Sequence, residues 1–420
     1  MRQVFFKEEK IWYNLSMKYV AIAGRQPLIS LAEIQALYDK NARLVGRKLI
    51  FFELEEAKTT PVEKEVPSDK EVTPDINRLG GSLKLGKFFD TDFNKLAGFL
   101  ISEHPEGKIT LGVSDFSKHK RVGLAKQKSM ELKRTLTKMG RSVRVIMSNE
   151  PEISSATAHH NQLGEKAGCF EIFLVDHEIY LSLGTQNITA YTERDQARPA
   201  RDAKVGMLPP KLAQILINLC GKLPMGARIL DPFCGTGVVL QEAAIMGYIP
   251  YGTDLNERMV EYSKKNLNWL FNERNKRRFR ISKNLLEKKD QIIEEISVGD
   301  ATSFTWEGQI DAVAFEGYLG VPMSKPPVDI KLKTEKAKCK EIAIGFLKNI
   351  TPQIKSGTPV VMALPAWLRE NGKYVGLNIL DEIQEMGYNF EKFQDLSQSD
   401  LLYFREGQIV AREIIVIRKR

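Results

Sequence analysis

The chain has 420 residues and a formal net charge of +9, and 43% of its residues are hydrophobic. This length allows two or three domains; the apolar share excludes a chain disordered throughout; the positive balance fits either a polyanionic partner or ordinary surface charge. No apolar run reaches the roughly 18–20 residues that cross a bilayer, the N-terminus lacks a signal-peptide core, and the cysteines and histidines lack the spacing of a disulfide framework or metal site, so a reducing cytoplasm with no metal and no membrane is the simple reading.

Residues 1–16 read as a short extension, or as an upstream start left unused before Met17. Tyr19–Ala23 reads as a strand. Ser30 and Glu33 stand as an S-x-x-E capping box at the start of a helix. Glu53 to Asp75, rich in Glu, Lys, Pro and Thr, reads as a charged linker. Strands are expected at Ile109–Val113 and Ser142–Ile146, with a hairpin of Phe170–Val175 and Ile179–Leu183 around Asp176-His177-Glu178. Between them runs the most basic stretch of the chain, with Lys118, Lys120, Arg121, Lys126, Lys128, Lys133 and Arg134. Leu124, Leu132, Leu136 and Met139 recur there at helical spacing, so one helix face should enter the core. The opposite face is either a phosphate-binding stripe or a solvated surface.

From about residue 204, apolar strands alternate with helical stretches: Ala227–Leu230, Ile249–Thr253, Ile310–Phe315, Thr358–Leu364 and an antiparallel-looking end, Ile409–Ile417. This alternation specifies α/β architecture with a doubly wound sheet. The basic stretch 272–280 is either a second phosphate contact or a solvated loop.

The chemical motifs lie in this half. The first strand runs into Asp231-Pro232-Phe233-Cys234-Gly235-Thr236-Gly237 and then a helix. Its glycines permit a sharp turn and close backbone approach to a ligand. The third glycine of a dinucleotide fingerprint is replaced by Leu240, and no G-K-[ST] follows, so neither an NAD site nor a P-loop is specified. Asp254 ends the next strand, where an acid can accept from ribose hydroxyls. Asp300, followed by Ala301, can reach an adenine amino group or cap a turn. Glu316 and Tyr318 should emerge at the carboxyl edge of a central strand. A carboxylate there stabilises charge developing on an attacked base amine, and an aromatic face can stack on an extruded base. An acidic loop closing the sheet is the plainer alternative.

At these residues the chain resembles the amino-methyltransferases of Rossmann-like fold. It is similar in particular to the tRNA guanosine N2-methyltransferases acting on guanosine-10, which join a ferredoxin-like module, a THUMP RNA-binding domain and a class I methyltransferase domain. The likeness covers most of the chain after Met17. It rests on Tyr19 to Pro27 with Leu31-Ala32-Glu33-Ile34, on Arg198-Pro199 and Gly206 to Ala213, on the complete DPFCGTG loop, and on Tyr403 to Gln408 with Arg412-Glu413-Ile414. It implies an extension at 1–16, a ferredoxin-like module with linker at 17–80, a THUMP-like domain at 81–190 and a methyltransferase domain at 191–420. It implies S-adenosylmethionine as cofactor, held by Asp231, Phe233, Gly235, Thr236, Gly237, Asp254, Asp300 and Ala301, and tRNA or another structured RNA as partner. The chain departs from the family at the catalytic loop, where D-P-P-Y is replaced by Phe315-Glu316-Gly317-Tyr318. That departure leaves the cofactor assignment intact but loosens the assignment of the target atom. A DNA amino-methyltransferase and an RNA-binding protein with a degenerate catalytic loop remain as rivals.

Overall fold

A computed structural model describes residues 16–55, 73–120, 122–202 and 208–420. Arg121, nearly all of the 1–16 extension, most of the charged linker and the Gly206-Met207 pair lie outside the described residues.

The front half is built on one eight-stranded sheet. Its order is Arg43–Val45, Leu49–Glu55, Ser16–Ala23, Ser82–Asp90, Glu178–Thr185, Cys169–Val175, Ile109–Asp115 and Val143–Ile146. Ser16–Ala23 pairs antiparallel with Ser82–Asp90, so the sheet crosses position 80 without a break. The hairpin forms as expected, with Val175 opposite Glu178 and Asp176 at a φ of +51°, a left-handed position that aspartate tolerates. The basic segment forms the helix Val122–Lys138. Ala125, Leu132 and Leu136 enter the core beside Leu111 and Ile172, whereas Met139, expected inside, is 51% exposed because the helix has already ended.

The capping box does not form. Pro27 starts the helix Pro27–Leu37 a turn before the serine, since proline is preset for a first helical turn. Ser30 and Glu33 instead share one face of that helix and both are buried. Ser30 Oγ donates to the Gly81 carbonyl at 2.7 Å. The Glu33 carboxylate accepts the Gly80 and Gly81 N–H groups, both at 2.9 Å, and Asn218 Nδ2 at 2.7 Å. Asn218 lies on the helix Pro210–Leu219 of the second half. The two halves meet on this face: Ile29 and Ala32 share a core with Leu212, Ile215, Leu216 and Leu219. A Cβ at Gly80 would stand 2.3 Å from the Lys211 carbonyl oxygen, so only glycine lets the chain pass.

Burial raises the Glu33 carboxyl to about 7, against the opposing pull of Asn218, the two glycine N–H groups and Arg78. For an acid raised in this way, the stabilising contribution is present below its ordinary value and is lost as pH climbs through about 7. The wild-type protein should therefore lose stability relative to Glu33→Gln over that window, by a total on the order of 3 kcal/mol. Urea unfolding of both proteins at pH 5 and pH 8 measures it; a difference independent of pH is the contrary result.

The second half is a mainly parallel sheet. Its main path runs Ser297–Val298, Ile249–Asp254, Arg228–Asp231, Ala312–Glu316, Pro359–Leu368, Val410–Lys419 and Tyr388–Phe390. Numbered within this unit, the order is 3-2-1-4-5-7-6, with the strand Val410–Lys419 antiparallel to its neighbours. Helices Val238–Ile245, Glu257–Leu270 and Asp329–Ile350 fill the crossovers. This is the expected α/β Rossmann-like architecture. Arg228–Asp231 pairs with the strand after it on one side and with Ala312–Glu316 on the other. The chain thus reverses direction of winding there, and such a switch point opens a crevice at the carboxyl ends of the strands.

Candidate functional site

Four acids stand at that carboxyl edge: Asp231, Asp254 and Glu316 each end a strand, and Asp300 follows another. Asp231 is 2% exposed, and its Oδ1 accepts the Phe233 N–H at 3.0 Å. Asp254 Oδ2 accepts the Gly235 N–H at 2.8 Å and its Oδ1 the Asn256 N–H at 2.9 Å. These bonds tie the glycine loop to the neighbouring strand. Gly237 closes the loop at a φ of +78°, and a Cβ there would stand 2.8 Å from Ser263 Oγ. The motif spacing is thus a steric requirement as well as a backbone one. Thr236 is buried, and Asn266 Nδ2 donates to its carbonyl at 2.8 Å. Phe233 packs its ring against Phe315 and Phe346, with centroids 5.2 and 5.7 Å away.

Burial pushes the Asp231 carboxyl well above its ordinary range, and the charges of Asp254 and Glu316 push it further. Asp254 is also raised by burial, though the Asn256 and Gly235 N–H groups oppose this. Asp231 and Asp254 are thus held close together at this edge, where burial makes their mutual repulsion unfavourable, with Glu316 adding to it at Asp231. A ligand carrying positive charge beside a ribose diol relieves that repulsion and uses the remaining acceptor positions. The donor set therefore fits a cationic nucleoside.

Residues 198–363 match the UPF0020 family model, an RMKL-like methyltransferase domain. That span contains both the glycine loop and the Glu316 strand. A tRNA (guanine(10)-N2)-dimethyltransferase of Methanothermobacter thermautotrophicus is 31% identical over 176 residues, 41% of this chain and 44% of the relative. One of the same name from Pyrococcus abyssi is 47% identical over 62 residues, 15% of this chain and 18% of the relative. The chain thus spans less than half the length of these curated relatives. Among solved structures, TrmN from Thermus thermophilus aligns over 96% of this chain and 100% of its own, with 16% identity and a TM-score of 0.42.

Within the methyltransferase-domain match, the remaining expected residues sit as follows. Tyr318, 42% exposed, stands just past Glu316 with its ring accessible. Ala301 is buried. Asp300 is exposed, and its Oδ1 accepts both the N–H and the hydroxyl of Thr302, at 2.9 and 2.7 Å. It caps a turn, and these bonds lower its carboxyl pKa.

The structure gives a role to one residue that the sequence names only within the final hairpin. Glu316 Oε1 accepts from Arg412 Nε at 2.7 Å, and the two side chains are 17% and 9% exposed. Arg412 lies on the antiparallel strand Val410–Lys419, beyond the span matched by the family model. A charged pair inside the otherwise apolar run 409–417 was the available signal.

On the front sheet, Lys118, Lys126 and Arg134 are exposed, and Lys128 and Lys133 are half-buried. Lys120 is ion-paired with Glu152, and Lys128 pairs with Glu131 at 3.0 Å while lying over the Phe93 ring. Among the described residues, Lys118, Lys126, Lys133 and Arg134 make no ion pair. The stretch 272–280 forms a short helix, Glu273–Arg278, whose Lys276 and Arg277 pair with Glu273 and whose Arg278 pairs with Glu193.

Proposed function

We propose that this chain methylates an exocyclic base amine of structured RNA, with guanosine N2 in tRNA as the target and S-adenosylmethionine as the donor. The observation that carries the reading is the convergence of Asp231, Asp254 and Glu316 at the carboxyl edge of the sheet's switch point, beside the complete DPFCGTG loop. The names of the curated relatives support the choice of tRNA and of the guanine amine. The methyl donor supplies an electrophilic methyl group on a positively charged sulfur. Asp231 holds the donor's cationic end, Asp254 its ribose hydroxyls, and the turn at Asp300 with Ala301 borders its base. Glu316 accepts from the target amine, which localises the nitrogen lone pair toward the methyl group and offsets the positive charge that develops. The extra proton on that nitrogen passes to the open Glu316 Oε2 and from there to solvent. Tyr318 offers its ring to the extruded base. The fixed side chains contribute mainly through alignment.

The test is mass spectrometry of nucleosides from undermodified tRNA incubated with the protein and S-adenosylmethionine. Appearance of N2-methylated guanosine is expected; none with well-folded protein overturns the reading. A second reading, an RNA-binding protein with a degenerate catalytic loop, is favoured by the Glu316–Arg412 pair, which occupies one carboxylate oxygen. Normal tRNA binding without turnover selects it.

The basic segment, Lys118 together with the helix Val122–Lys138, is assigned to the RNA backbone, since double-stranded RNA is recognised mostly by shape and phosphate contact. Replacing Lys118, Lys126 and Lys133 together by alanine should weaken tRNA binding by about tenfold or more at low salt and flatten the slope of log K against log salt by about two to three. Filter binding across a salt series measures both; an unchanged slope assigns these lysines to a solvated face.

A further inference from the structure

We propose that Arg412 is a specificity-determining residue which donates to the 6-oxo group of the target guanine while Glu316 accepts from the adjacent N–H groups. This deepens the proposed function and rests on it. Three observations carry it.

First, Arg412 stands at the ligand-binding edge. Glu316 is opposite Ala363, whereas Arg412 is opposite Pro365, further along the same strand past the carboxyl end of the Glu316 strand. It reaches Glu316 across the intervening strand. Secondly, Arg412 is 7% exposed and spends only Nε on the glutamate. Among the described residues its two Nη groups make no hydrogen bond. The guanidinium carries five N–H donors, and its Nη groups, which are not among the fully buried atoms without a partner, stay open to a ligand. Glu316 Oε2 likewise has no partner among the described residues. Thirdly, the pair leaves donors and an acceptor side by side. The pairing edge of guanine presents the complement: an oxo acceptor, then the N1 and N2 N–H donors. Adenine presents an amino group where guanine has its oxo group and a bare N1 where guanine has N–H. Against this pair, adenine meets donor with donor and acceptor with acceptor, leaving buried polar groups unmatched.

The pair also bears on the altered catalytic loop. With Phe315 at the aspartate position and Glu316 and Gly317 at the two proline positions, the acid stands one position later than in the family pattern, and it is fixed by a partner from another strand. The guanidinium holds one oxygen and leaves the second for substrate, and it keeps the carboxylate oriented without the two prolines.

The test compares guanosine with 6-thioguanosine at the modified position of one synthetic tRNA. The thio base keeps both N–H donors, but sulfur is a poor acceptor for Arg412. For the wild-type enzyme, kcat/KM should favour guanosine by about tenfold or more, as expected for a hydrogen bond to a charged group. In Arg412→Ala both rates should fall and the preference should shrink toward unity. Arg412→Lys, which retains the charge and is the fallback should the alanine variant not fold, should show an intermediate preference. A wild-type ratio near unity overturns the proposal, and so does a ratio left unchanged by either variant. A structural role alone lowers both substrates equally and gives that second result. Methyl transfer with an unchanged ratio leaves the proposed function standing. No transfer to guanosine at all overturns the function and this assignment together.

Discussion

Asp231→Asn should weaken binding of S-adenosylmethionine by about a hundredfold or more, the loss expected when a buried charge-assisted interaction worth about 3 kcal/mol is removed. The substitution keeps the side chain's shape and an oxygen that can accept from the Phe233 N–H, so the loop should survive it better than with alanine. What is removed is the negative charge. The cost of holding that charge in the ligand-free protein is visible in the raised Asp231 carboxyl, for which burial comes first and the Asp254 and Glu316 charges follow. An acid raised in this way contributes stability that is present below its ordinary value and is lost as pH rises through the folded-state value. A bound cation reverses the preference by favouring the ionised form. Binding should therefore release protons at acid pH and tighten as pH rises. Isothermal titration calorimetry in buffers of different ionisation heat reads both effects. Wild-type affinity in Asp231→Asn would falsify the placement of the donor's cationic end at this carboxylate.

The same crevice shows what a sequence makes legible. The strand-loop-helix around Asp231 could be read because its determinants are local: an apolar run, an acid at its end, and two glycines in left-handed conformation at φ +52° and +78°. Asp254 could be read because the next strand repeats the pattern. The doubly wound, mainly parallel sheet could be read from alternation of strands with helices, since parallel neighbours need crossovers; its strand order could not. Non-local contacts could not be read in this way. Ser30 and Glu33 satisfy the spacing of a capping box, but that spacing also places two residues on one helix face, and here the second use prevailed. Nothing near Ser16–Ala23 specifies that it pairs with Ser82–Asp90 across a long connection. Arg412 lies 96 residues from Glu316, and only the fold brings them together. The arginine and glutamate in the run 410–417 mark a strand with unusual business at its edge, but they do not name the partner.

Glu316→Gln should leave cofactor affinity within a few-fold of wild type and lower turnover by about 10²–10³, the range seen when one group aimed at developing charge is removed. Glutamine retains an oxygen that can accept from Arg412 Nε, so the 2.7 Å contact can persist. Its amide nitrogen then occupies the place of Oε2 and turns donors toward the donors of the target amine. Removing the charge also leaves Arg412 in a largely buried position without a counter-ion. Loss of one partner from such a pair costs about 3–5 kcal/mol when burial is complete, and less here, where the glutamate is 17% exposed. The kinetic effect must therefore be separated from stability: kcat is measured well below the melting transition, beside calorimetric binding of the cofactor. Neutralising Glu316 also removes one of the charges that raise Asp231, so proton release on cofactor binding should shift to lower pH in this variant. That shift occurs only if the two carboxylates share one crevice, and it is readable even where turnover is abolished. Unchanged kcat with an unshifted proton release would separate Glu316 from both the chemistry and the pocket, and the base amine would then need another acceptor.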